Sequence, residues 1–120
     1  MILELSKHKP KPGVTVFVMK GSVHSGPDCR RIEQETEKAI AAQDLHLIFD
    51  LAQVTHIDSA AIGSIVRCFS RLKGAGGALR LSGCTGMIEA SLRLTQLHKV
   101  LELYPNERAA AENFPPASPR

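Results

Sequence analysis

The run L-H-L-I-F-D-L, residues 45–51, constrains the fold of this chain more than any other feature. It is too short for a typical helix and is rich in aliphatic side chains, which favours a β-strand. Near-continuous apolar character is typical of a strand that is buried on more than one side, between parallel neighbours. The run therefore predicts the central strand of a sheet.

The segments before this run carry strand and helix signals in turn. Residues 2–6 and 14–20 are short β-type runs, joined by K-H-K-P-K-P-G, which suits a hairpin connection longer than two residues. The following S-G-P-D predicts a helix start, with Ser25 as the cap, Pro27 at an early helical position and Asp28 near the positive end of the helix. Apolar residues then recur at helical spacing.

The segments after the central run continue this alternation. A loop is predicted over A-Q-V-T-H, and at Ser59 the apolar period changes to that of a helix, which ends at Lys73-Gly74. We expect a strand at 78–82, a helix at 85–94, a last strand at 100–104, a short closing helix over N-E-R-A-A-A-E-N-F and a frayed tail over F-P-P-A-S-P-R. Helices between strands argue for an α/β architecture with parallel crossovers.

Composition limits the classes of protein that this chain can represent. Its 120 residues suit one domain, and no apolar run approaches the roughly 20 residues that span a bilayer. The start contains Glu4 and no basic segment before an apolar stretch, so we expect no secretory signal and a cytoplasmic location. The densest basic cluster, K-H-K-P-K, has no aromatic residues for base stacking, which argues against nucleic-acid binding.

Cysteine and histidine usage indicates no metal or disulfide framework. Cys29, Cys68 and Cys84 are odd in number and have no C-x-x-C spacing, so we expect reduced and mostly buried thiols. The five histidines form no i, i+4 pair around an acid, so no metal site is predicted.

His56, Asp58 and Ser59 supply the side-chain types of a nucleophilic triad, but they lie too close together in sequence to converge as one. The G-x-S-x-G elbow is absent as well. G-A-G-G at 74–77 follows a helix instead of preceding one, which favours a turn over a phosphate site. S-G-C-T-G at 82–86 has the strand-to-helix order, so a weak anion site stays open there, although a plain loop is favoured. We predict no catalytic residue and no cofactor.

Taken alone, Ser59 reads as a helix N-cap, because its hydroxyl could accept a backbone N–H for about 1 kcal/mol. The surrounding stretch changes this interpretation. D-L-A-Q-V-T-H-I-D-S-A-A-I-G-S-I-V resembles the signature of the STAS domain family, of the anti-sigma factor antagonist type. V-T-V-F-V-M-K-G-S-V, K-G-A-G-G-A-L-R-L and L-T-Q-L-H-K-V-L-E-L-Y resemble other family segments, so that the likeness covers residues 14–113 in order.

This resemblance implies a STAS-like α/β fold with a mostly parallel sheet of four to five strands and helices packed on one face. We expect a single STAS domain over residues 1–114 and a disordered proline-rich tail at 115–120. It also implies a regulatory protein that is not an enzyme. Its partner would be an anti-sigma factor that is also a serine kinase and that supplies ATP. No nucleic-acid partner and no membrane insertion are expected, and exposed sheet edges could support a weak homodimer.

The resemblance assigns phosphorylation to Ser59, with Asp58 as its acidic neighbour and Asp50 as a second acidic position near the partner surface. A phosphate carries about −1.5 to −2 charges, so that together with these carboxylates it would repel an acidic partner. Small residues around the serine would allow close approach. The partner-binding residues predicted in this way are Asp50, His56, Asp58, Ser59, Ala60, Ala61, Gly63 and Ser64.

The chain departs from the family pattern at Ala61 and in the turn after Gly21, where one residue is also inserted before the first helix. Ala61 replaces a glycine two residues after the serine, and the turn S-V-H-S lacks the acid that often follows Gly21. These departures leave a second function open, an accessory STAS subunit that docks on the ATPase of a lipid-transporting ABC system or packs into a stress-signalling complex. In that role Ser59 would support docking and would not be switched by phosphorylation.

Overall fold

The structure of the protein, a computed structural model, describes residues 2–115. Within that range, five strands alternate with four α-helices and one 3₁₀ turn. The elements in chain order are β1 (Glu4–Lys11), β2 (Val14–Val23), α1 (Pro27–Ala41), β3 (His46–Ile57), α2 (Ser59–Gly74), β4 (Ala78–Ser82), α3 (Gly86–Leu94), the 3₁₀ turn (Leu97–Lys99), β5 (Glu102–Tyr104) and α4 (Glu107–Ala111).

The five strands form one sheet in the order β1-β2-β3-β4-β5. β1 is antiparallel to β2, and the remaining neighbours are parallel. Each parallel connection contains a helix, as crossovers between parallel strands require. The predicted α/β architecture with a mostly parallel sheet is therefore confirmed.

The two faces of the sheet are covered unequally. Alternate strand residues such as Phe17 and Phe49 pack with residues of α1, α2 and α3, including Ile32 and Ile65, in the main core. The opposite face, which includes Val16 and Ile48, packs with Ala110 and Phe114 in a smaller cluster. The three longer helices thus share one face, as expected, and α4 covers part of the other.

The sheet extends further than the sequence predicted. The stretch A-Q-V-T-H continues β3, so the prediction of a loop there is wrong. The reason is tertiary, because β2 runs alongside and pairs Ser22 with His56 and Val23 with Ile57. Alternating polar residues can form a strand when a neighbour satisfies their backbone groups.

Other boundaries differ for local reasons. Gly26, at φ 89°, precedes α1 where Ser25 was predicted to cap, and no side-chain cap bond forms there. β5 is shorter than predicted, because the N–H groups of Val100 and Leu101 close the 3₁₀ turn on the Leu97 carbonyl. α4 is shorter because the helix ends at Ala111, where the next residue, Glu112, is extended. The predicted tail at 115–120 lies outside the described residues, except for Pro115.

Gly77, in the G-A-G-G segment, meets a steric requirement at the start of β4. A Cβ on Gly77, just before β4, would collide with the carbonyl oxygen of Leu45, just before the neighbouring β3. A close approach of two backbones accounts for glycine at this position.

Phe114, which the sequence placed where the closing helix meets the tail, is fully buried. The guanidinium of Arg80 lies 4.1 Å from the centre of the Phe114 ring and donates to the carbonyls of Ala110 and Glu112, both at 3.0 Å. Arg80 also donates to Glu102 at 2.9 Å. One buried cation therefore satisfies the carbonyl end of α4 and holds the C-terminal segment on the sheet.

Two of the cysteines, Cys29 and Cys68, are buried, as predicted, and all three are free. Burial raises the pKa of the Cys68 thiol to about 11 and that of Cys84 to about 12. Both thiols therefore stay protonated near neutral pH and pack as small apolar groups. Within the described residues, none of the helices has both the length and the apolar character needed to cross a membrane.

Phe114→Ala should lower the free energy of unfolding by about 3–5 kcal/mol, because it empties a buried site and removes the ring beneath Arg80. Urea unfolding followed by circular dichroism measures this change. Val100→Ala, at a position that is 54% exposed, is the control and should change it by less than about 0.5 kcal/mol. A loss below about 1 kcal/mol for Phe114→Ala would contradict the packing described here.

Candidate functional site

The end of β3 projects beyond its neighbour on one side. β4 pairs with β3 only from His46 to Asp50, whereas β2 pairs with it as far as Ile57. Register shifts interrupt the β2–β3 ladder at two places, as bulges often do near functional sites. The first turn of α2 therefore lies at the tip of a two-stranded extension.

Asp58, and not Ser59, caps α2, so the N-cap interpretation of Ser59 is wrong. The Asp58 backbone is extended and its Oδ1 accepts the N–H of Ala61 at 2.8 Å. Its own N–H donates to the carbonyl of Val23 at 3.3 Å, which keeps Asp58 in the strand conformation that an N-cap needs. Ser59 then becomes the first helical residue.

The second carboxylate oxygen of Asp58 holds the turn between β2 and α1. Oδ2 accepts the N–H of Ser25 at 2.9 Å and lies 3.7 Å from Nδ1 of His24. The N–H of His24 donates in turn to Asp28 at 3.0 Å. The bonds from Ala61 and Ser25 hold the pKa of Asp58 below its usual range, because they favour the ionised carboxylate.

Ser59 lies exposed beside this anchored carboxylate, as do Ala60 and His56. Among residues 2–115, no group forms a hydrogen bond with the Ser59 hydroxyl. Nδ1 of His56 is 3.3 Å from the hydroxyl of its neighbour Thr55 and does not bond to Ser59. The structure thus gives the capping role to the acid and leaves the adjacent hydroxyl accessible.

The side chains of Ala61 and Ser64, which were predicted to allow close approach of a partner, are fully buried. Both lie on the inner face of α2, and Ala61 belongs to the main core. The Ser64 hydroxyl donates to Glu33 of α1, which also accepts from Arg67 at 2.9 Å. These two donors, Arg67 first, lower the pKa of Glu33. They tie α1 to α2.

Gly63 is half-buried on α2, and a Cβ there would meet only the Arg67 guanidinium, at 3.6 Å. Asp50 is not part of the cluster around Ser59. It lies where β4 ends, and the extended strand from Asp50 to Ile57 is roughly 20 Å long at about 3.3 Å per residue. The strand therefore separates the Asp50 carboxylate from Asp58 and Ser59.

A family model for the STAS domain matches residues 9–110. The chain belongs to the STAS domain family. The family predicted from the sequence is therefore confirmed.

Solved structures with the same fold come from several kinds of protein. An anti-sigma factor antagonist from Mycobacterium paratuberculosis is 20% identical, with 92% of each chain covered and a TM-score of 0.81. The Bacillus cell fate determinant SpoIIAA in its phosphorylated form is 14% identical, with 92% of this chain and 98% of that chain covered and a TM-score of 0.74. A sulfate transporter family protein from Wolinella succinogenes is 14% identical, with 85% and 84% covered and a TM-score of 0.69. At these identities the likeness establishes the fold alone.

The sequence did not predict that residues of the turn between β2 and α1 contact Asp58. His24, Ser25 and Asp28 come from the turn after β2 and meet the end of β3. The signal was available, because loops that follow neighbouring parallel strands lie at the same edge of a sheet. Pairing of β2 with β3 was the missing information.

Asp58→Asn should destabilise the domain at neutral pH, because a neutral amide accepts the Ala61 and Ser25 amides less strongly than a carboxylate. The folded state lowers the pKa of Asp58, so the stabilisation is complete above the unfolded value of about 3.9 and disappears as the pH falls through the lower folded value. Denaturant unfolding at pH 7 and at steps below pH 4 measures the difference from wild type.

The difference between wild type and Asp58→Asn should shrink over that acid range. Glu4→Gln, at an exposed position of β1, controls for the loss of one carboxylate. A difference that stays the same at every pH would contradict the role assigned to the Asp58 charge.

Proposed function

We propose that this STAS domain is an anti-sigma factor antagonist that binds a kinase-type anti-sigma factor and is released when that partner phosphorylates Ser59. The binding site is the Ser59 surface, which consists of His24, Ser25, His56, Asp58, Ser59 and Ala60. The proposal depends on one observation, the different contacts of Asp58 and Ser59. The Asp58 carboxylate accepts two backbone amides that stabilise the fold, whereas the exposed Ser59 hydroxyl forms no hydrogen bond with the described residues.

The geometry supports a protein that is a substrate and performs no chemistry itself. The Asp58 carboxylate is occupied by two backbone amides, and neither His24 nor His56 forms a hydrogen bond with the Ser59 hydroxyl. A nucleophilic serine needs such a base within hydrogen-bonding reach. ATP and the catalytic groups would belong to the partner, a protein kinase.

Phosphorylation would change the Ser59 surface mainly through charge. The added phosphate brings about −1.5 to −2 charges next to Asp58, and Asp28 lies on the far side of the same turn. The positive end of α2 tolerates this charge, so the fold itself is preserved. A partner with acidic groups, or one that seals a dry interface over the small Ala60 side chain, would dissociate.

Two structural neighbours support the proposal. One structural neighbour is an anti-sigma factor antagonist, and another is a cell fate determinant in its phosphorylated form. A transporter-family neighbour shares the fold. The experiment must therefore distinguish a phosphorylation-controlled antagonist from a subunit that docks on a transporter without such control.

Affinity capture from native lysate tests the proposal, with the wild-type chain and its variants as baits and captured proteins identified by mass spectrometry. Wild type should recover an ATP-binding anti-sigma kinase. Ser59→Asp should weaken this binding by about tenfold or more, a loss of about 1.4 kcal/mol or more. Incubation with the purified kinase and Mg-ATP should add one phosphate to wild type and none to Ser59→Ala.

Ser70 offers matched controls, because it is an exposed serine near the other end of α2. Ser70→Asp should bind like wild type, and Ser70→Ala should be phosphorylated like wild type. Equal binding of Ser59→Asp would contradict the switch. Recovery of a transporter ATPase that is indifferent to Ser59→Asp would replace the proposal with the accessory-subunit function.

A further inference from the structure

The projection of β3 beyond β4 leaves one strand edge open inside the sheet. β4 pairs with β3 as far as Asp50, opposite Ser82. The chain then turns away from β3 at Gly83, which has a φ of +73°. Gly83 packs so closely on Ala52 that a Cβ added to it would lie 2.6 Å from the Cβ of Ala52. Within residues 2–115, no strand pairs with β3 on this side from Gln53 to Ile57.

This open edge has the length of an ordinary binding strand. The segment 53–57 spans about 16 Å at about 3.3 Å per residue. Gln53, Thr55 and His56 are exposed along it, whereas Val54 belongs to the main core. The Ala52 amide just before it is occupied, because it donates to Asp50 at 3.1 Å. The accessible edge therefore begins at Gln53.

The outer edges of the sheet are protected by composition or by length, whereas this inner one carries only the register shift of β3 between Val54 and His56. β1 carries lysines and a proline in K-H-K-P-K, and Lys7 and Lys9 reach over to Glu35 and Asp44. β5, the other outer strand, has only three residues. Lysine, proline and short length are common protections against unwanted strand pairing. The segment Q-V-T-H-I contains no lysine, acid or proline.

We propose that the edge of β3 from Gln53 to Ile57 binds an extended segment of another protein, which is added to the sheet as a short strand in line with β4. Main-chain hydrogen bonds would supply the affinity, and alternate side chains the specificity. The segment would be uncharged and free of proline, with an apolar residue beside Val54 and a polar residue beside Gln53. The extra residue of β3 between Val54 and His56 interrupts the alternation beyond that point. This inference goes beyond the proposed function and does not depend on modification of Ser59.

The topology favours a free segment over a second copy of this chain. A symmetric antiparallel pairing of two β3 edges would place β4 of the second copy in line with β3, just beyond Ile57. That position is where the chain turns through Asp58 into α2. A single extended segment has no such neighbour and fits between Gly83 and Asp58.

A soluble peptide with the repeat T-V-T-V-T-V-T between two lysines is the probe. Titration into the ¹⁵N-labelled full chain, followed by two-dimensional NMR, should shift the amides of residues 53–57 in a saturable way and leave the β1 edge unchanged. Thr55→Lys places a protecting charge on the edge and should weaken binding by about tenfold. Ser6→Lys, at an exposed position of β1, is the matched control and should bind like wild type.

A second peptide with proline in place of the central valine lacks one donor and should also bind about tenfold more weakly. The spectra of both variants show at once whether they remain folded. An absence of shifts at residues 53–57 up to millimolar peptide, or equal shifts along β1, would overturn the proposal. Shifts of the same amides that grow with protein concentration, without peptide, would overturn it in favour of a second copy.

Discussion

The parallel pairing of β3 with β2, which continues after β4 has ended, determines the positions of Asp58, of Ser59 and of the open edge of β3. β2 supplies hydrogen-bonding partners as far as Ile57, so a polar stretch becomes strand and carries the first turn of α2 outward. The same pairing brings the turn after β2 next to Asp58. Without β2, the backbone groups of A-Q-V-T-H would need water or a turn, and Ser59 would lie close to the body of the sheet.

The adjacent acid and hydroxyl have separate tasks. Asp58 accepts amides from two elements, and a carboxylate suits this because it accepts several bonds at once and favours the positive end of a helix. Ser59 occupies the next position, where its side chain faces solvent. A modification of Ser59 would therefore change the charge of the surface without removing a bond that the fold needs, which is a useful property in a switch.

Whether a feature of the site can be predicted from the sequence depends on what determines it. Features set by neighbouring residues are predictable, and features set by contacts between strands are not. The start of α2 at Ser59 and the bounds of β4 agree with the apolar periods, which are local. The identity of the cap was not local, because Asp and Ser both cap well and only the end of the β2 pairing decides between them. Ala61 and Ser64 look like small surface residues in the sequence, but helical geometry turns both inward.

The sequence by itself determined the fold class, the family and the place of the acid-serine pair, because these follow from periods of two and 3.6 residues and from a contiguous motif. Only the tertiary structure decided how far β3 extends, which residue caps α2, that Asp50 lies far from Ser59 and that Phe114 is core. Each of these depends on a contact between residues distant in the chain, with β2 in the first two cases, the end of β4 in the third and Arg80 in the last. Such contacts leave no periodic signal in a single sequence.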